Sequence, residues 1–398
     1  MTAPHPSFAP SRRGFLLGLG ASLAAGGARA AFADAPGERR LVVILLRGAL
    51  DGLHAVPPYG DAGLAALRPN LVLPEPGQEG GLLDLGGTFG LHPALEAVHG
   101  LYRASQALIL HAVAGPYRSR SHFEAQDLLE AGAEQRLNSG WLNRALRAMP
   151  QAEGARAGLA VGTGVPLLLR GPTPVGAYAP PGLERPSDDL IHRLATLQDA
   201  DEMLGPVFRE GMRARGFAEH ALAGSGAEPD SAGFPRLAAA AGRLLAERDG
   251  PRVAALEIGG WDTHAAQTNR ILGPLRALDA GIGRLQEALG QSWAQTAVLV
   301  VTEFGRAARA NGNNGTDHGT GGVAFLLGGA VAGGRVVADW PGLAPDRLFE
   351  NRDLRPTADL RAIAKALLRG HLRLPDRAVA DAFPGSEAVS PMRGLLRA

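Results

Sequence analysis

Short runs of consecutive apolar residues recur along the chain, and segments with helical spacing of apolar positions lie between them. The apolar runs cover residues 41–46, 107–113, 158–161, 253–258, 296–302 and 323–327. Runs of this length are typical of strands that are buried on both faces of a parallel sheet. The helical segments cover residues 92–104, 121–131, 235–247, 269–289 and 359–372. This alternation predicts βαβ units and an α/β fold, a three-layer sandwich with a mostly parallel central sheet.

Two stretches depart from this alternation. Residues 54–90 are rich in proline and glycine, which predicts a loop. Residues 186–222 have helical character but the weakest pattern in the chain, and residues 225–234 are polar. We therefore expect one α/β domain over residues 34–398 and interpret residues 186–230 as a candidate helical insertion.

The N-terminus has the pattern of an export signal. Arg12 and Arg13 precede Phe15, and the following residues up to Gly27 are apolar or small. Small residues at alternate positions near Ala30–Ala33 then provide cleavage sites. The paired arginines predict a twin-arginine (Tat) signal peptide over residues 1–33. The apolar run is shorter than the roughly 20 residues that a membrane-spanning helix needs, so we expect no stable membrane span.

The composition limits which partners and which kinds of catalytic or metal site the chain can have. The formal net charge is +1, which gives no indication of nucleic acid as a partner. The chain has no cysteine, so disulfides, thiolate catalysis and Cys-ligated zinc are excluded. Any metal site must therefore use histidine, carboxylate and hydroxyl ligands.

Polar, glycine-containing motifs follow several of the predicted strands. They are RGALDG at 47–52, RSRSH at 118–122, GGWDTH at 259–264, EFGR at 303–306 and TDHG at 316–319. In open α/β sheets, ligands bind at the carboxyl ends of the strands, so motifs at several strand ends indicate one shared crevice.

The histidine-containing motifs each admit two interpretations. Asp262 and His264 are two residues apart, so in an extended segment both side chains point the same way and can clamp a divalent ion. They can equally serve as a helix cap and a backbone hydrogen-bond partner. Asp317 and His318 offer further ligands, or form an Asx-turn in a loop rich in glycine and asparagine.

Two other strand ends are also ambiguous. Glu303 ends an apolar strand, where a carboxylate is costly to bury unless it is paired or metal-bound, and Arg306 is available as an ion-pair partner. Ser121 lies at a predicted helix start beside His122, where free amides and the helix dipole suit an anion or an activated hydroxyl. The spacing of Ser121 and Glu124 also fits an ordinary capping box.

Five segments taken together resemble one protein family. They are LVVILLRGALDGLHAVPPYGD, YRSRSHFEAQD, GGWDTH, TEFGR and TDHGTGG, which occur in the order found in the DUF1501 family of Tat-exported proteins. The resemblance extends from about Leu41 to the C-terminus. That family resembles a branch of the alkaline phosphatase–sulfatase superfamily. This implies an alkaline phosphatase-like fold, with two divalent ions at the C-terminal edge of the sheet.

Carried over motif by motif, the resemblance implies a set of metal ligands. The set is Asp51, Asp262, His264, Glu303, Asp317 and His318. Phe304 departs from the superfamily pattern, because it stands where a ligand histidine is usual and cannot bind a metal. We therefore expect one ion rather than two, with zinc, manganese, calcium and magnesium as candidates.

The resemblance also implies catalytic roles. Ser121 resembles the superfamily's hydroxyl nucleophile, with Ser119 as the alternative if the register differs. Arg120 or Arg306 would bind the non-bridging oxygens of the transferred group. These assignments predict an exported, metal-dependent hydrolase of phosphate or sulfate esters, acting on a small-molecule or polymeric substrate.

The competing hypothesis is a non-catalytic exported protein that keeps the fold and at most one structural metal. Under either hypothesis the protein is periplasmic or secreted, with the Tat translocase as its partner during export. The sharpest geometric expectation is that Asp262, His264 and His318 face one point, with polar atoms roughly 3–5 Å apart, about twice a zinc–ligand bond.

Overall fold

The computed structural model describes residues 38–149, 157–179 and 233–397, together with Leu222. The predicted signal peptide at 1–33 and nearly all of the candidate insertion at 186–230 lie outside the described residues. In the described part of the chain, none of the helices is both long and apolar enough to cross a membrane.

The described strands follow the apolar runs closely. They are β1 (Arg40–Leu46), β2 (Leu83–Asp84), β3 (Gly90–Leu91), β4 (Ala107–Ala114), β5 (Gly158–Val161), β6 (Gly176–Tyr178), β7 (Val253–Ile258), β8 (Thr296–Thr302), β9 (Arg306–Ala310), β10 (Thr316–His318), β11 (Gly322–Leu327), β12 (Arg335–Val337) and β13 (Ala358–Asp359).

The α-helices in the same ranges are α1 (Gly52–Ala55), α2 (Gly63–Leu67), α3 (Glu96–Arg103), α4 (His122–Ala131), α5 (Trp141–Leu146), α6 (Phe234–Ala246), α7 (Gln267–Arg270), α8 (Leu272–Leu289), α9 (Leu360–Ala366) and α10 (Asp376–Ala382). Short 3₁₀ turns cover Leu167–Leu169, Gly290–Gln295 and Pro345–Arg347, and a π-helical turn at Leu367–His371 extends α9.

The central sheet has the strand order β12-β4-β11-β8-β1-β7-β5-β6, and β13 also pairs with β4. All pairings are parallel except those of β11, which runs antiparallel to both β4 and β8. The prediction of a mostly parallel sheet is therefore confirmed.

Side chains of β1 alternate between two cores. Val42, Ile44 and Leu46 enter one core, which α3, α6 and α8 cover. Leu41, Val43 and Leu45 enter the other core, which α5, α9 and α10 cover. Because both faces of the sheet are apolar and each needs a helical cover, the chain folds into the predicted three layers.

Two expectations about the region around the sheet need correction. The segment predicted to be loop, residues 54–90, contains the end of α1, all of α2 and most of the β2–β3 ladder. Its Leu64 and Leu67 pack with Leu53, Leu348 and others in a small core. These elements are too short to give a periodic signal, so only their packing defines them.

The GGWDTH motif follows β7 and the TDHG motif comes after the next long strand, β8, an order that predicts β7 and β8 to be neighbours in a βαβ sheet. In the structure β1 lies between β7 and β8, and the TDHG residues belong to β10, which pairs with β9 in a separate antiparallel ladder. The central position of β1 still directs the carboxyl ends of β7 and β8 to one edge, on either side of the loop that follows β1.

Buried histidines give the fold a pH dependence. Burial lowers the pKa of His92, His111 and His371 to about 4 each. In the unfolded chain a histidine titrates near 6.5. The folded-state pKa is thus depressed, so the stabilisation is complete above pH 6.5 and is lost as the pH falls towards 4.

We therefore predict that the free energy of unfolding decreases between pH 6.5 and 4, by roughly 1.4 kcal/mol per pH unit for each of these histidines. His371→Gln should remove the contribution of one histidine to this pH dependence, because glutamine cannot take up a proton. Its side-chain amide can still donate to the Arg40 carbonyl, which lies 2.8 Å from His371 Nε2 in the wild type. Denaturant titrations at several pH values measure the slope of the free energy of unfolding against pH for the wild type and for His371→Gln. Identical slopes in variant and wild type would contradict the prediction.

Candidate metal centre

Four polar side chains meet at the carboxyl edge of the sheet. Asp262 and His264 come from the segment after β7, His318 ends β10, and His122 begins α4. All four are partly or well exposed, so the group opens to solvent on one side.

Asp262 Oδ1 and His318 Nε2 each lie within 3.7 Å of the Nε2 atoms of both His122 and His264, and the space between these atoms is called the shared point. His318 Nε2 is 2.9 Å from His264 Nε2, 3.0 Å from His122 Nε2 and 3.3 Å from Asp262 Oδ1. Asp262 Oδ1 is also 3.0 Å from His264 Nε2 and 3.7 Å from His122 Nε2. His122, Asp262 and His318 form a group whose ligand atoms all lie within 4.8 Å of one another, close enough to hold one metal ion.

An acceptor oxygen holds the second nitrogen of each ring. His122 Nδ1 is 2.7 Å from Glu303 Oε1, and His318 Nδ1 is 3.0 Å from the Arg120 carbonyl oxygen. Since both acceptors are oxygen atoms without a proton, a neutral imidazole in either position carries its proton on Nδ1 and directs its Nε2 lone pair to the shared point.

The third ring follows the same pattern. His264 Nδ1 is 3.4 Å from Asp317 Oδ1, and Asn311 donates to that same oxygen at 3.1 Å. Asp317 therefore contacts the outer side of His264 rather than the shared point. Metal-ligating histidines commonly have this backing acceptor, which orients the ring and raises its basicity.

Glu303 is the most heavily engaged carboxylate of the centre. Besides His122, it accepts from the Gly48 amide at 2.9 Å, Gln126 Nε2 at 3.0 Å and Thr302 Oγ1 at 2.9 Å. Burial alone would raise its pKa, but the hydrogen bonds from His122, Gln126 and backbone amides outweigh burial and lower the pKa below its usual value. Glu303 is thus an ionised anchor for His122.

Arg306 does not pair with Glu303, contrary to one of the sequence interpretations. Its buried guanidinium donates from Nη1 to Asp262 Oδ1 at 2.6 Å and from Nε to Thr316 Oγ1 at 3.2 Å. Burial would raise the pKa of Asp262, yet the hydrogen bond and charge of Arg306 lower it overall. Asp262 is therefore an ionised ligand candidate whose position Arg306 fixes.

The structure does not bring Asp51 into the group, although the resemblance implied that it is a metal ligand. Asp51 caps α1 by accepting from the Leu53 amide at 3.1 Å. Its other oxygen accepts from Arg68 Nη1 and Gln267 Nε2, each at 2.6 Å. Burial raises the pKa of Asp51, but the charge and hydrogen bond of Arg68 lower it overall, so the carboxylate is ionised.

Ser121 and Glu124, at the start of α4, do not cap this helix with their side chains. Ser121 is the N-cap of α4 by backbone geometry, yet its side chain makes no capping hydrogen bond. Glu124 instead accepts from the Tyr117 hydroxyl at 2.5 Å, so the capping box is not formed. Ser119 Oγ lies 2.6 Å from the same Tyr117 hydroxyl.

Arg120 reaches away from the shared point. Its guanidinium pairs with Asp353 at 2.7 Å and Glu350 at 2.5 Å, so it is not free to bind a substrate oxyanion as expected. Its backbone has φ +64°, a left-handed conformation that costs a residue with a side chain about 1–2 kcal/mol. This turn aims the Arg120 carbonyl at His318.

His122 is the contributor that sequence reasoning did not include among the ligands. The sequence marks it only as the neighbour of Ser121 at a predicted helix start, and the signal that could have identified it is its place in the RSRSH motif after a buried strand. Phe304, the departure from the superfamily pattern, packs its ring 4.9 Å from that of His122 and 5.3 Å from that of His318. It thus forms an apolar wall behind two of the imidazoles.

A family model described as "Protein of unknown function (DUF1501)" matches residues 104–383, more than half of the chain. The chain belongs to the DUF1501 family. The matched range contains all four residues of the centre together with Glu303, whereas Asp51 lies before it. No curated protein matches this DUF1501 chain significantly.

Several solved structures are similar to this DUF1501 protein. The phosphonate monoester hydrolase of Agrobacterium radiobacter has 13% identity and a TM-score of 0.36, over 85% of this chain and 74% of that one. A protein in the alkaline phosphatase superfamily from Vibrio parahaemolyticus has 12% identity and a TM-score of 0.35, over 83% and 66%. Ps i-CgsB, in complex with k-i-k-neocarrahexaose, has 13% identity and a TM-score of 0.33, over 73% of this chain. The match spans only 65% of that protein's length.

If Glu303 anchors a metal-ligating histidine, Glu303→Gln should weaken binding of Zn²⁺ or Mn²⁺ by roughly 10–100-fold, the usual effect of losing a partner behind a ligand. Glu130→Gln is the matched control. It removes a similarly buried carboxylate of the same region, one that pairs with Arg47 and belongs to the far end of α4. Isothermal titration calorimetry measures the affinity of both variants for Zn²⁺ or Mn²⁺. Equal affinities in Glu303→Gln and Glu130→Gln would refute the anchoring role of Glu303.

Proposed function

We propose that this DUF1501 protein is a metal-dependent hydrolase of phosphate or sulfate esters. The observation that carries the proposal is the meeting of three imidazole Nε2 atoms and one carboxylate oxygen. It is supported by Ser121, which directly precedes His122 and has a hydroxyl that is not used as a helix cap. The order of motifs that resembles the alkaline phosphatase–sulfatase superfamily points to the same class of reaction.

The donor set fits a transition ion. Three imidazole nitrogens and an ionised carboxylate suit zinc or manganese, whereas calcium and magnesium prefer sites made of oxygen atoms alone. His122, His318 and Asp262 would hold the ion, with His264 as a fourth donor. A bound ion of this kind stabilises negative charge on the transferring group and lowers the pKa of a bound hydroxyl.

In the proposed reaction Ser121 is the nucleophile. Its Oγ forms a bond to phosphorus or sulfur while the bond to the leaving alcohol breaks, and the serine proton ends on that alcohol. Water then cleaves the seryl ester, which restores the hydroxyl and releases phosphate or sulfate. The free amides at the start of α4 would stabilise charge on the group being transferred.

A non-catalytic role has specific support as well. Both arginines expected to bind the substrate are neutralised, Arg120 by Asp353 and Glu350 and Arg306 by Asp262. Phe304 occupies the position where a ligand histidine was expected. In this alternative the protein keeps the fold with at most one structural metal and has no turnover.

The screen that separates the two roles uses aryl phosphates, phosphodiesters and aryl sulfates with Zn²⁺ or Mn²⁺. We expect turnover by the wild type and a loss of at least about a thousandfold in Ser121→Ala, since a nucleophile is removed. Ser119→Ala is the matched control and should retain activity. Loss in Ser119→Ala instead would move the nucleophile by two residues, and inactivity of the wild type with every ion would favour the non-catalytic role.

We also propose that residues 1–33 direct export through the Tat translocase, with cleavage near Ala30–Ala33, so that the protein acts in the periplasm or outside the cell. Replacing both arginines, Arg12→Lys with Arg13→Lys, should retain the precursor inside the cell. Arg29→Lys, in the same segment but outside the pair, should be exported normally. Cell fractionation with immunoblotting measures both. Export of the paired variant at the wild-type level would argue against a Tat signal.

A further inference from the structure

Asp51 is a buried carboxylate that already has a resident counter-charge. The Asp51 and Arg68 side chains are each only 1% exposed, and Arg68 Nη1 lies 2.6 Å from Asp51 Oδ2. Gln267 Nε2 donates to the same oxygen at 2.6 Å, while the Leu53 amide donates to the other oxygen. A divalent ion at Asp51 would have to displace donors that satisfy both oxygens.

Arg68 is held as firmly as Asp51. Its Nη2 donates to the Ala307 carbonyl at 2.6 Å and its Nε to the Ala308 carbonyl at 2.8 Å. A fixed guanidinium with three satisfied donor directions is a permanent cation, because arginine keeps its proton in proteins. Removing its carboxylate partner would leave an uncompensated buried charge, so the pair is retained as a unit.

We propose that the Arg68 guanidinium serves as the fixed cation of Asp51, and that the centre consequently holds one metal ion instead of the two that the superfamily resemblance implies. The inference rests on the proposed metal-dependent function and specifies its stoichiometry. Phe304 supports it independently, because an apolar ring packs against His122 and His318 where a ligand of a second ion was expected.

Asp51 still influences the remaining site, through a chain of buried hydrogen bonds. Gln267 accepts from Thr316 Oγ1 at 2.7 Å, and Thr316 Oγ1 accepts from Arg306 Nε at 3.2 Å. Arg306 in turn donates to Asp262 at 2.6 Å. Asp51 is therefore a positioning residue that acts on the ligand Asp262 through Gln267, Thr316 and Arg306.

The test is metal stoichiometry on the purified full chain, reconstituted with Zn²⁺ or Mn²⁺ and measured by inductively coupled plasma mass spectrometry and calorimetry. We expect one ion per wild-type chain. Asp51→Asn should keep one ion, with affinity reduced by no more than about tenfold, the lower end of the effect of an outer partner. His318→Ala, which removes a ligand, should lose affinity by more than about 100-fold.

Two ions per wild-type chain, with one lost in Asp51→Asn, would overturn the single-ion inference while leaving the metal-dependent function intact. No bound ion in the wild type would instead overturn the proposed function itself. Should Asp51→Asn fail to fold, anomalous diffraction from wild-type crystals grown with Mn²⁺ or Zn²⁺ needs no variant. One peak among the three imidazoles supports the inference, and a peak at the Asp51 carboxylate overturns it.

Discussion

The proton positions on three histidines govern the whole centre. His122, His264 and His318 each have an oxygen acceptor near Nδ1, so the neutral form of each ring directs its Nε2 lone pair towards the shared point. Lone pairs brought to within about 3 Å repel each other unless a proton or a cation lies between them. A metal ion removes this repulsion, and binding is therefore expected to stabilise the folded state by mass action.

The acceptors come from parts of the chain that only the fold unites. Glu303 follows the end of β8, the Arg120 carbonyl belongs to the left-handed turn before α4, and Asp317 lies on β10. Because β1 occupies the middle of the sheet, the segments after β7 and β8 flank its own loop. The chemistry thus depends on strand order as much as on the residues themselves.

Arginine–carboxylate pairs balance the charge that this arrangement buries. Asp51 pairs with Arg68, Asp262 with Arg306 and Glu130 with Arg47. For Asp51 and Arg68, whose side chains are each 1% exposed, breaking the pair on one side costs about 3–5 kcal/mol, because the remaining charge stays buried without compensation. A chain whose only lysine is Lys365 is well suited to these contacts, since the planar guanidinium makes several directed hydrogen bonds at once.

The sequence predicted the positions of the main strands and the mostly parallel sheet, because both depend on local apolar spacing. It also predicted that Asp262 and His264 of the GGWDTH segment lie close together, because they are two residues apart. It did not predict the role of His122, whose ring reaches the centre only because α4 begins beside β8 and β10. Nor did it predict that Asp51 faces Arg68, a residue in a segment with no periodic signal. Pairings between distant segments depend on tertiary packing, which the spacing of residues along one chain does not record.

Close backbone approach fixes the position of His318 in the centre. A β-carbon at Gly315 would lie 2.3 Å from the His264 carbonyl, and one at Gly319 would lie 2.3 Å from the Arg306 backbone. Only glycine permits either contact, so β10 is held against both the segment that carries His264 and the strand that carries Arg306. Since His318 lies between these two glycines, its Nε2 has little freedom to leave the other rings. A ligand whose position the backbone fixes loses little conformational freedom when an ion binds, which favours tight binding by a small number of ligands.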